Sequence, residues 1–310
     1  MENVVIVGSG CAGATAAVYT ARAMLAPLVL VGDDAGGQLA LTTLVENYPG
    51  FADGIQGPEL MEVMRRQAER FGARFLGGRL ADVALRPGGP HRLVMADGSA
   101  VEARAVIIAT GARPRWLGLP SERALRNKGV SACATCDGAL YRNVPVAVIG
   151  GGDTALEEAL FLTRFASQVT VIHRRHELRA SKIMQERTLA HPKIEVAWDT
   201  VVEEVLDVGK DEVTGLVLHN LRTAARTVLP VTGVFVAIGH MPNTEVFRGK
   251  VEMDEAGYVV PGDGGRSLTS VDGVFVAGDC ADHLYRQAVT AAGMGCRAAI
   301  DAERWLSERG

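Results

Sequence analysis

The 310-residue chain lacks the features of several broad protein classes. Positive charge is not in excess, since 32 basic residues stand against 36 acidic ones, so nothing indicates a nucleic-acid partner. No apolar run reaches the roughly 18 residues of a membrane-spanning helix, so we expect no membrane association. The first residues, MENVVIVGSG, contain no basic segment and no apolar leader, and we therefore expect a cytoplasmic protein.

Cysteine is scarce, and the histidines are scattered. The five cysteines do not indicate a disulfide framework, because no secretory signal accompanies them. A structural zinc site needs a second pair of ligands, and the chain has neither a second C-x-x-C nor an H-x-x-x-H, so we expect no metal. One close pair stands out, Cys133-Ala134-Thr135-Cys136.

A glycine-rich turn follows the first apolar segment. Asn3–Val7 is predicted to be a buried strand, and after it come GSGCAG (8–13), a helical segment (Ala14 to Ala26) and a second strand (Leu28–Val31). In this context G-x-G-x-x-G predicts a dinucleotide site, because the glycines let the backbone and the helix N-terminus approach a pyrophosphate. Asp33 lies about 20 residues farther on, where an acid binds a ribose hydroxyl; a solvated turn residue is the alternative.

The same order of elements returns in the second half of the chain. Val144–Ile149 is predicted as a strand, residues 150–155 as a turn, Leu156–Phe165 as a helix and Val169–Ile172 as a strand. Within the turn, Gly150, Gly152 and Ala155 fit the variant G-x-G-x-x-A. The sequence therefore predicts an α/β protein with two Rossmann-like dinucleotide-binding domains.

The residues that follow the second turn are basic. Where an NAD enzyme would place an acid, this chain has His173, Arg174 and Arg175, with Arg179 shortly after. Guanidinium groups bind a 2′-phosphate with charge-assisted hydrogen bonds, whereas a carboxylate would repel it. This pattern predicts NADPH; a basic, exposed helix start is the alternative.

Other segments predict strands and loops. Apolar runs end near glycine at Ala105–Thr110, Val234–Ile238 and Val274–Ala277. Residues 80–104 predict a β-meander with a tight turn at 97–99. The stretches 86–90 and 261–265 are predicted to be surface loops, since they are rich in proline and glycine.

The Cys133–Cys136 pair has three interpretations: half a zinc site, two inert thiols, or a redox dithiol. The dithiol is favoured, because the two-residue spacer permits a small disulfide ring and lets one thiol lower the pKa of the other. Asp137 is next in sequence and is either a proton carrier for a leaving thiolate or a plain turn residue. A nicotinamide delivers a hydride, which a disulfide accepts poorly, so a flavin between them is expected, and the first nucleotide is predicted to be FAD.

With these motifs in place, the chain resembles the low-molecular-weight, bacterial-type thioredoxin reductases along nearly its whole length. The matching stretches are GSGCAG (8–13), GGQLALTTLVENYPGF (36–51), ATG (109–111), CATCDG (133–138), GGGDTALEEA (150–159), HRRHELRASKIM (173–184), AIGHMPNT (237–244), VFVAGDC (274–280) and YRQAVTAAGMGC (285–296). The resemblance implies a three-layer ββα fold with a discontinuous FAD domain (1–114 and 245–310). An NADPH domain (115–244) that carries the cysteine pair would be inserted into it.

The resemblance also implies the site residues. Those for FAD are Gly8, Gly10, Cys11, Ala12, Gly13, Asp33, Gly37, Gln38, Leu39, Thr43, Asn47, Ala109, Thr110, Gly111, Gly278, Asp279, Arg286, Gln287 and Ala288. Those for NADPH are Gly150, Gly152, Asp153, Thr154, Ala155, His173, Arg174, Arg175, Arg179, Ile238 and Gly239.

The resemblance implies a mechanism as well. NADPH would reduce FAD, Cys136 would be the thiol nearest the flavin, Cys133 would attack the disulfide of thioredoxin, and Asp137 would act as acid and base. The NADPH domain would rotate between two states about Thr110–Arg115 and Gly239–Thr244. A homodimer is expected on the same ground.

Two departures and two alternative functions remain. Cys11 stands where the family usually has Pro, and Cys280 where an apolar residue is usual; both are interpreted as small buried fillers near FAD, with a regulatory thiol as the alternative. A flavin and dithiol enzyme with a ferredoxin donor or a small-molecule disulfide substrate is one alternative function. A non-catalytic flavin sensor is another, although it predicts a lost thiol or a degraded glycine loop, and neither is present.

Overall fold

A computed structural model describes residues 1–262 and 266–310. Its helices are α1 (Cys11–Arg22), α2 (Gly37–Ala40), α3 (Gly57–Arg70), α4 (Pro120–Ala124), α5 (Ala134–Asp137), α6 (Asp153–Leu162), α7 (Lys182–Leu189) and α8 (Ala288–Ser307). Its strands are β1 (Glu2–Val7), β2 (Leu28–Leu30), β3 (Leu44–Val45), β4 (Ile55–Gln56), β5 (Arg74–Leu76), β6 (Leu80–Ala84), β7 (His91–Met95), β8 (Ala100–Ile108), β9 (Ala112–Pro114), β10 (Val130–Ser131), β11 (Pro145–Ile149), β12 (Gln168–Ile172), β13 (Ile194–Ala197), β14 (Thr200–Val205), β15 (Leu216–Asn220), β16 (Arg226–Leu229), β17 (Gly233–Val236), β18 (His240–Pro242) and β19 (Val274–Val276).

The chain divides into two compact units. The first unit comprises Met1–Arg113 and Met241–Gly310, and the second comprises Pro114–His240. The first unit is therefore built from both ends of the sequence, with the second unit inserted between them. The two ends join because β19 pairs in parallel with β8, so the return of the chain completes the sheet begun by β1.

The sheet of the first unit changes from parallel to antiparallel pairing along β8. β5, β2, β1 and the second half of β8 are parallel. The first half of β8 instead pairs antiparallel with β7, which pairs antiparallel with β6. The long strand β8 therefore belongs to both arrangements. The antiparallel strands β6 and β7 pack over one face of the parallel sheet, while α1, α3 and α8 cover the other face. The result is the three-layer arrangement that the family resemblance implies.

Small residues let the helices of the first unit lie close together. A side chain on Gly295 of α8 would place its Cβ 2.1 Å from the carbonyl oxygen of Ala12 in α1, so contact between the two backbones excludes larger residues there. Leu60, Met61 and Met64 form the buried stripe of α3, as their spacing predicts. Trp305 of α8 is buried against Phe275 of β19.

The second unit is a five-stranded parallel sheet with a smaller sheet beside it. Its strand order is β10-β17-β11-β12-β13, and β14, β15 and β16 form the antiparallel sheet. α6 packs on one face, where Leu156 and Leu162 are fully buried, and the antiparallel sheet covers the other through Leu216. Both units thus place a helix directly after a strand and a glycine turn.

The predicted elements are present, but several bounds differ. The first predicted helix, 14–26, begins at Cys11 and ends at Arg22, because Met24 and Ala26 take positive φ values (60° and 48°) before Pro27. The second, 156–165, begins at Asp153, directly after the turn, and ends at Leu162. The loop at 86–90 is present, whereas part of the predicted loop 261–265 lies outside the described residues. No helix among the described residues is long and apolar enough to span a membrane.

Candidate active site

The first glycine turn joins β1 to α1 with backbone in tight contact. Gly8 has φ +113°, and a Cβ there would lie 2.2 Å from the carbonyl oxygen of Ala109. A Cβ on Gly13 would lie 1.9 Å from the carbonyl oxygen of Gly8. Beyond Gly10, which caps α1, space is open, since the nearest atom to a Cβ is 3.9 Å away. The turn therefore presents backbone N–H groups at the start of α1, which is the arrangement that binds a pyrophosphate.

Distant segments of the first unit meet at this turn. Ser9 Oγ accepts a hydrogen bond from the Gly36 N–H at 3.0 Å and donates one to the carbonyl oxygen of Val31 at 3.2 Å. A Cβ on Gly278 would lie 2.9 Å from Ala12 Cβ. The structure thus brings segments 36–37, 109 and 278 to the turn; Ser9 was not predicted as a site residue, although its position between two glycines could have indicated it.

Asp279 is a half-buried carboxylate beside this turn, and its Oδ1 is buried. Its Oδ1 has no hydrogen-bond partner among the described residues. Burial, together with the charge of the nearby Asp282 and against that of Arg286, raises the pKa of Asp279 to about 6. A buried acceptor without a partner fits a ligand that carries hydroxyl groups, and the ribityl chain of FAD is such a ligand. The glycine turn and this carboxylate together fit an FAD molecule.

The other predicted FAD residues occupy varied positions. Asn47 donates a hydrogen bond to Gln287 at 3.3 Å, so two segments far apart in sequence meet. Gln287 also caps α8 in a capping box with Thr290, which gives its side chain a structural role that the sequence did not reveal. Asp33 is exposed, in a position open to either of its two interpretations. The remaining predicted residues lie in α2 (Gly37, Gln38 and Leu39), between α2 and β3 (Thr43), after β8 (Thr110 and Gly111), and directly before or at the start of α8 (Arg286 and Ala288).

The second glycine turn joins β11 to α6 and is also tightly packed. A Cβ on Gly150 would lie 2.5 Å from the carbonyl oxygen of Ala237, while space around Gly152 is open. Ala155, the small third residue of the motif, is fully buried. Asp153 accepts hydrogen bonds from the N–H and Oγ of Ser181 at 2.9 and 2.7 Å, so its carboxylate holds the segment before α7. The turn itself fits a second dinucleotide.

His173, one of the predicted NADPH residues, packs against the second turn. Its side chain is buried, with Nδ1 3.0 Å from the carbonyl oxygen of Gly150 and Nε2 2.9 Å from that of Glu177. A Cβ on Gly151 would lie 2.2 Å from Nδ1, so the ring packs directly against the turn. Both ring nitrogens face backbone oxygens, and the imidazole therefore supports the turn; its contact with NADPH stays a prediction.

The predicted arginines surround the second turn. Arg174, Arg175 and Arg179 are exposed, and among the described residues none of them is in a salt bridge. The Arg179 N–H donates to the carbonyl oxygen of Gly151 at 2.7 Å, which fixes this segment beside the turn. Residues 173–179 are irregular, and α7 begins only at Lys182, so the alternative of a helix start is wrong. The arrangement suits the 2′-phosphate of NADPH.

Two more predicted NADPH residues follow β17. The Ala237 N–H donates to the carbonyl oxygen of Ile149, which carries the chain past the end of β11. Ile238 comes next, and Gly239 has φ +104° and accepts a hydrogen bond from the Arg115 N–H at 2.9 Å. Thr154 is half-buried in the first turn of α6.

Cys133 and Cys136 form a disulfide in the second unit, with Cα atoms 5.3 Å apart. Cys133 precedes α5, and its Sγ accepts a hydrogen bond from the Cys136 N–H at 3.2 Å. Cys133 is half-buried and Cys136 is exposed. The described residues contain no group of three or more His, Cys, Asp or Glu side chains that could hold a metal ion. The redox dithiol is the interpretation that this geometry fits.

Asp137 is held beside the disulfide by Ser131. The Ser131 hydroxyl donates to Asp137 Oδ2 at 2.5 Å. Burial raises the pKa of Asp137, and this hydrogen bond partly opposes the rise. A carboxyl group with a raised pKa can carry a proton at a higher pH than an exposed one. Ser131 was not predicted from the sequence.

The unpaired cysteines near the first turn are buried. Cys11 Sγ lies 3.9 Å from Met61 Sδ and 3.8 Å from Met64 Sδ, and burial raises the pKa of its thiol to about 12. Cys280 is fully buried, and burial raises its pKa as well. Both therefore stay as neutral thiols, which fits the small-filler interpretation.

Comparison with known proteins agrees with this site. The family model for pyridine nucleotide-disulphide oxidoreductases matches residues 2–295. The chain is 54% identical over 310 residues to the thioredoxin reductase of Mycolicibacterium smegmatis, covering 100% of this chain and 98% of that protein. It is 54% identical over 309 residues to the bifunctional thioredoxin reductase/thioredoxin of Mycobacterium leprae, covering 99% of this chain and 66% of that protein. The structure of a thioredoxin reductase from Giardia duodenalis matches with a TM-score of 0.93 and 42% identity, covering 98% of each chain.

These matches cover nearly the whole chain and include both glycine turns and the disulfide. They confirm the predicted family, the α/β fold and the two cofactors. The chain therefore belongs to the pyridine nucleotide-disulphide oxidoreductases and, within them, to the thioredoxin reductases, flavoprotein disulfide reductases that use FAD and NADPH.

Proposed function

We propose that this chain passes electrons from NADPH, through FAD, to the Cys133–Cys136 disulfide and from there to the disulfide of a thioredoxin. The observation that carries the proposal is the disulfide, which lies in the same unit as the basic second turn and directly before the half-buried Asp137. The Mycobacterium leprae relative, named as a bifunctional thioredoxin reductase/thioredoxin, supports thioredoxin as the partner.

In this proposal the first unit, predicted as 1–114 with 245–310, holds FAD, and the second, predicted as 115–244, holds NADPH. When bound, FAD accepts a hydride from NADPH and delivers the electrons as a pair to a disulfide. The first glycine turn and Asp279 would hold the FAD, and Arg174, Arg175 and Arg179 would hold the 2′-phosphate of NADPH.

The cysteines and Asp137 divide the work of disulfide exchange. After reduction, the thiolate of Cys133 attacks one sulfur of thioredoxin, forming a mixed disulfide and releasing the other sulfur as a thiolate. Cys136 then attacks Cys133, which restores the enzyme disulfide and releases the second thiolate. Asp137 supplies a proton to a leaving thiolate and takes one back from solvent.

We further propose a cytoplasmic homodimer. The first unit exposes Leu284, Tyr285 and Val289, apolar side chains that a second copy would cover. A single monomeric species in sedimentation at micromolar concentration would contradict the dimer.

The test is NADPH oxidation by holoenzyme with and without oxidised thioredoxin. Cys133→Ser and Cys136→Ser should each lower thioredoxin reduction by about a thousandfold or more, while NADPH still bleaches the flavin. Cys296→Ser, which removes a half-buried cysteine outside the pair, is the matched control and should keep full activity. A wild-type flavin that stays yellow with NADPH but is bleached by a reduced ferredoxin would favour the alternative donor. Bleaching by NADPH without thioredoxin reduction would favour a small-molecule disulfide.

A further inference from the structure

Ser131 forms three contacts around the redox disulfide. Its Oγ accepts a hydrogen bond from the Cys133 N–H at 3.0 Å, donates to Asp137 Oδ2 at 2.5 Å, and lies 3.5 Å from the carbonyl oxygen of Cys133. The residue ends β10, which pairs in parallel with β17, and its side chain is buried. A hydroxyl on a rigid strand is therefore fixed between the backbone of one cysteine and the carboxyl group that follows the other.

A hydroxyl has one hydrogen and two lone pairs, so it can serve both states of Asp137. When Asp137 is ionised, the Ser131 hydrogen points to Oδ2. When Asp137 carries a proton, the acid donates to Ser131 Oγ, and the serine hydrogen turns to the carbonyl oxygen of Cys133. In neither state is a buried polar group left without a partner, which would otherwise cost free energy.

We propose that Ser131 is a positioning residue for the proton transfer of disulfide exchange, holding Asp137 in one place and allowing it to gain and lose a proton. The inference deepens the proposed function and rests on it. The chemistry is balanced: two electrons and two protons convert a disulfide to two thiols. NADPH supplies both electrons and one proton as a hydride, and the second proton comes from solvent by way of Asp137.

Among the described residues, Ser131 is a side chain that hydrogen-bonds to Asp137. Tyr141 is a nearby ionisable side chain, and burial together with the charge of Asp137 raises its pKa to about 12, so it stays neutral at working pH. At the adjoining Gly138, α6 and the residues after it present the apolar side chains Leu162, Phe161 and Phe165. Cys133 and Cys136 are disulfide-bonded in this state and do not titrate.

The decisive experiment is the pH profile of thioredoxin reduction by holoenzyme of wild type, Ser131→Ala and Ser131→Thr. Without the donated hydrogen bond, the ionised form of Asp137 is less stable and the pKa of Asp137 rises. Because Asp137 must hold the proton that it supplies to a leaving thiolate, Ser131→Ala should move the alkaline limb of the kcat profile upward by about one pH unit. Just above the wild-type limb kcat should therefore rise by up to about tenfold. Ser131→Thr keeps the hydroxyl and should keep the wild-type limb.

Two controls separate positioning from stability. Ser121→Ala removes a half-buried hydroxyl in the same unit that accepts the Val205 N–H at 3.0 Å, and it should leave the pH profile unchanged. In an Asp137→Asn background, Ser131→Ala should add no further shift, because no carboxyl group remains to titrate.

Flavin bleaching by NADPH is measured for every variant. One outcome would overturn the role of Ser131 and leave the proposed function standing. In that outcome NADPH bleaches the wild-type flavin, the wild type reduces thioredoxin, and the kcat of Ser131→Ala is lowered equally at all pH values. Failure of the wild type to reduce thioredoxin at all would instead overturn the proposed function. If Ser131→Ala loses its flavin, a Ser131→Thr profile displaced from that of the wild type also counts against the proposal.

Discussion

The two glycine turns follow the same plan and differ in what surrounds them. The first lies against α8 and the return of the chain at Gly278, and a glycine, Gly13, fills its third position. The second has Ala155 at that position and is supported by the ring of His173. Acidic residues follow the first motif at 33–34, and arginines follow the second at 174–175. In the proposed function a shared backbone motif thus binds a dinucleotide, while its surroundings decide which one.

The largest effect is expected from a substitution at Gly13, the third glycine of the first turn. Gly13→Ala places a Cβ 1.9 Å from the carbonyl oxygen of Gly8, so the turn must open. We expect at least a tenfold loss of bound FAD and a fall of about 1–3 kcal/mol in the free energy of unfolding. Ala155→Gly is the matched change in the other turn and should cost about 1 kcal/mol while NADPH binding is kept. The measurements are flavin absorbance per chain and urea unfolding; a stoichiometric FAD content in Gly13→Ala would refute the close-contact argument.

A smaller effect is expected from the basic residues of the second turn. Replacing both Arg174 and Arg175 by Gln removes charge-assisted hydrogen bonds to a 2′-phosphate. The KM for NADPH should rise about 10- to 100-fold, while the KM for NADH should change little. Arg187→Gln, an exposed arginine on α7, is the control and should alter neither value. An equal rise in the KM for NADPH and the KM for NADH would show that these arginines do not bind the 2′-phosphate.

The smallest effect concerns Asp279, the carboxylate beside the first turn. The pKa of Asp279 is about 6 in the folded chain against 3.8 for an unperturbed aspartate, so between pH 4 and 6 the folded chain binds a proton that the unfolded chain lacks. The free energy of unfolding of FAD-depleted protein should therefore fall as pH rises through this range. Between pH 5 and 7 we expect the titration of Asp279 to lower the free energy of unfolding by about 1–2 kcal/mol.

Asp279→Asn should remove that contribution, and urea unfolding at the two pH values measures it. Asp34→Asn changes an exposed carboxylate in the same unit and should leave the dependence as in the wild type. If the free energy of unfolding of Asp279→Asn depends on pH as fully as that of the wild type, the titrating group is not Asp279.

Local patterns were predictable and long-range contacts were not. The strand, turn and helix order around Gly8 and Gly150 follows from short apolar runs and adjacent glycines, which act over a few residues. The end of α1 at Arg22 was not predicted, because alanines favour a helix and the amino-acid composition does not indicate the positive φ of Met24. The contact of His173 with the turn was not predicted, because its partner, the carbonyl oxygen of Gly150, lies 23 residues away. Ser131 is near the cysteines in sequence, but only the fold shows that its hydroxyl faces Asp137.

The sequence by itself determined the family, the α/β class, both cofactors and the redox pair, because each depends on residue types at short, fixed spacings. The tertiary structure decided how the two chain ends complete one sheet through β19 and β8, which polar groups are buried, and which side chains support the site. The physical reason is that burial and hydrogen bonding depend on residues brought together from distant parts of the chain. Asp279, whose Oδ1 has no hydrogen-bond partner among the described residues, and Asp137, paired with Ser131, are ordinary acids in sequence and become distinct only when packed.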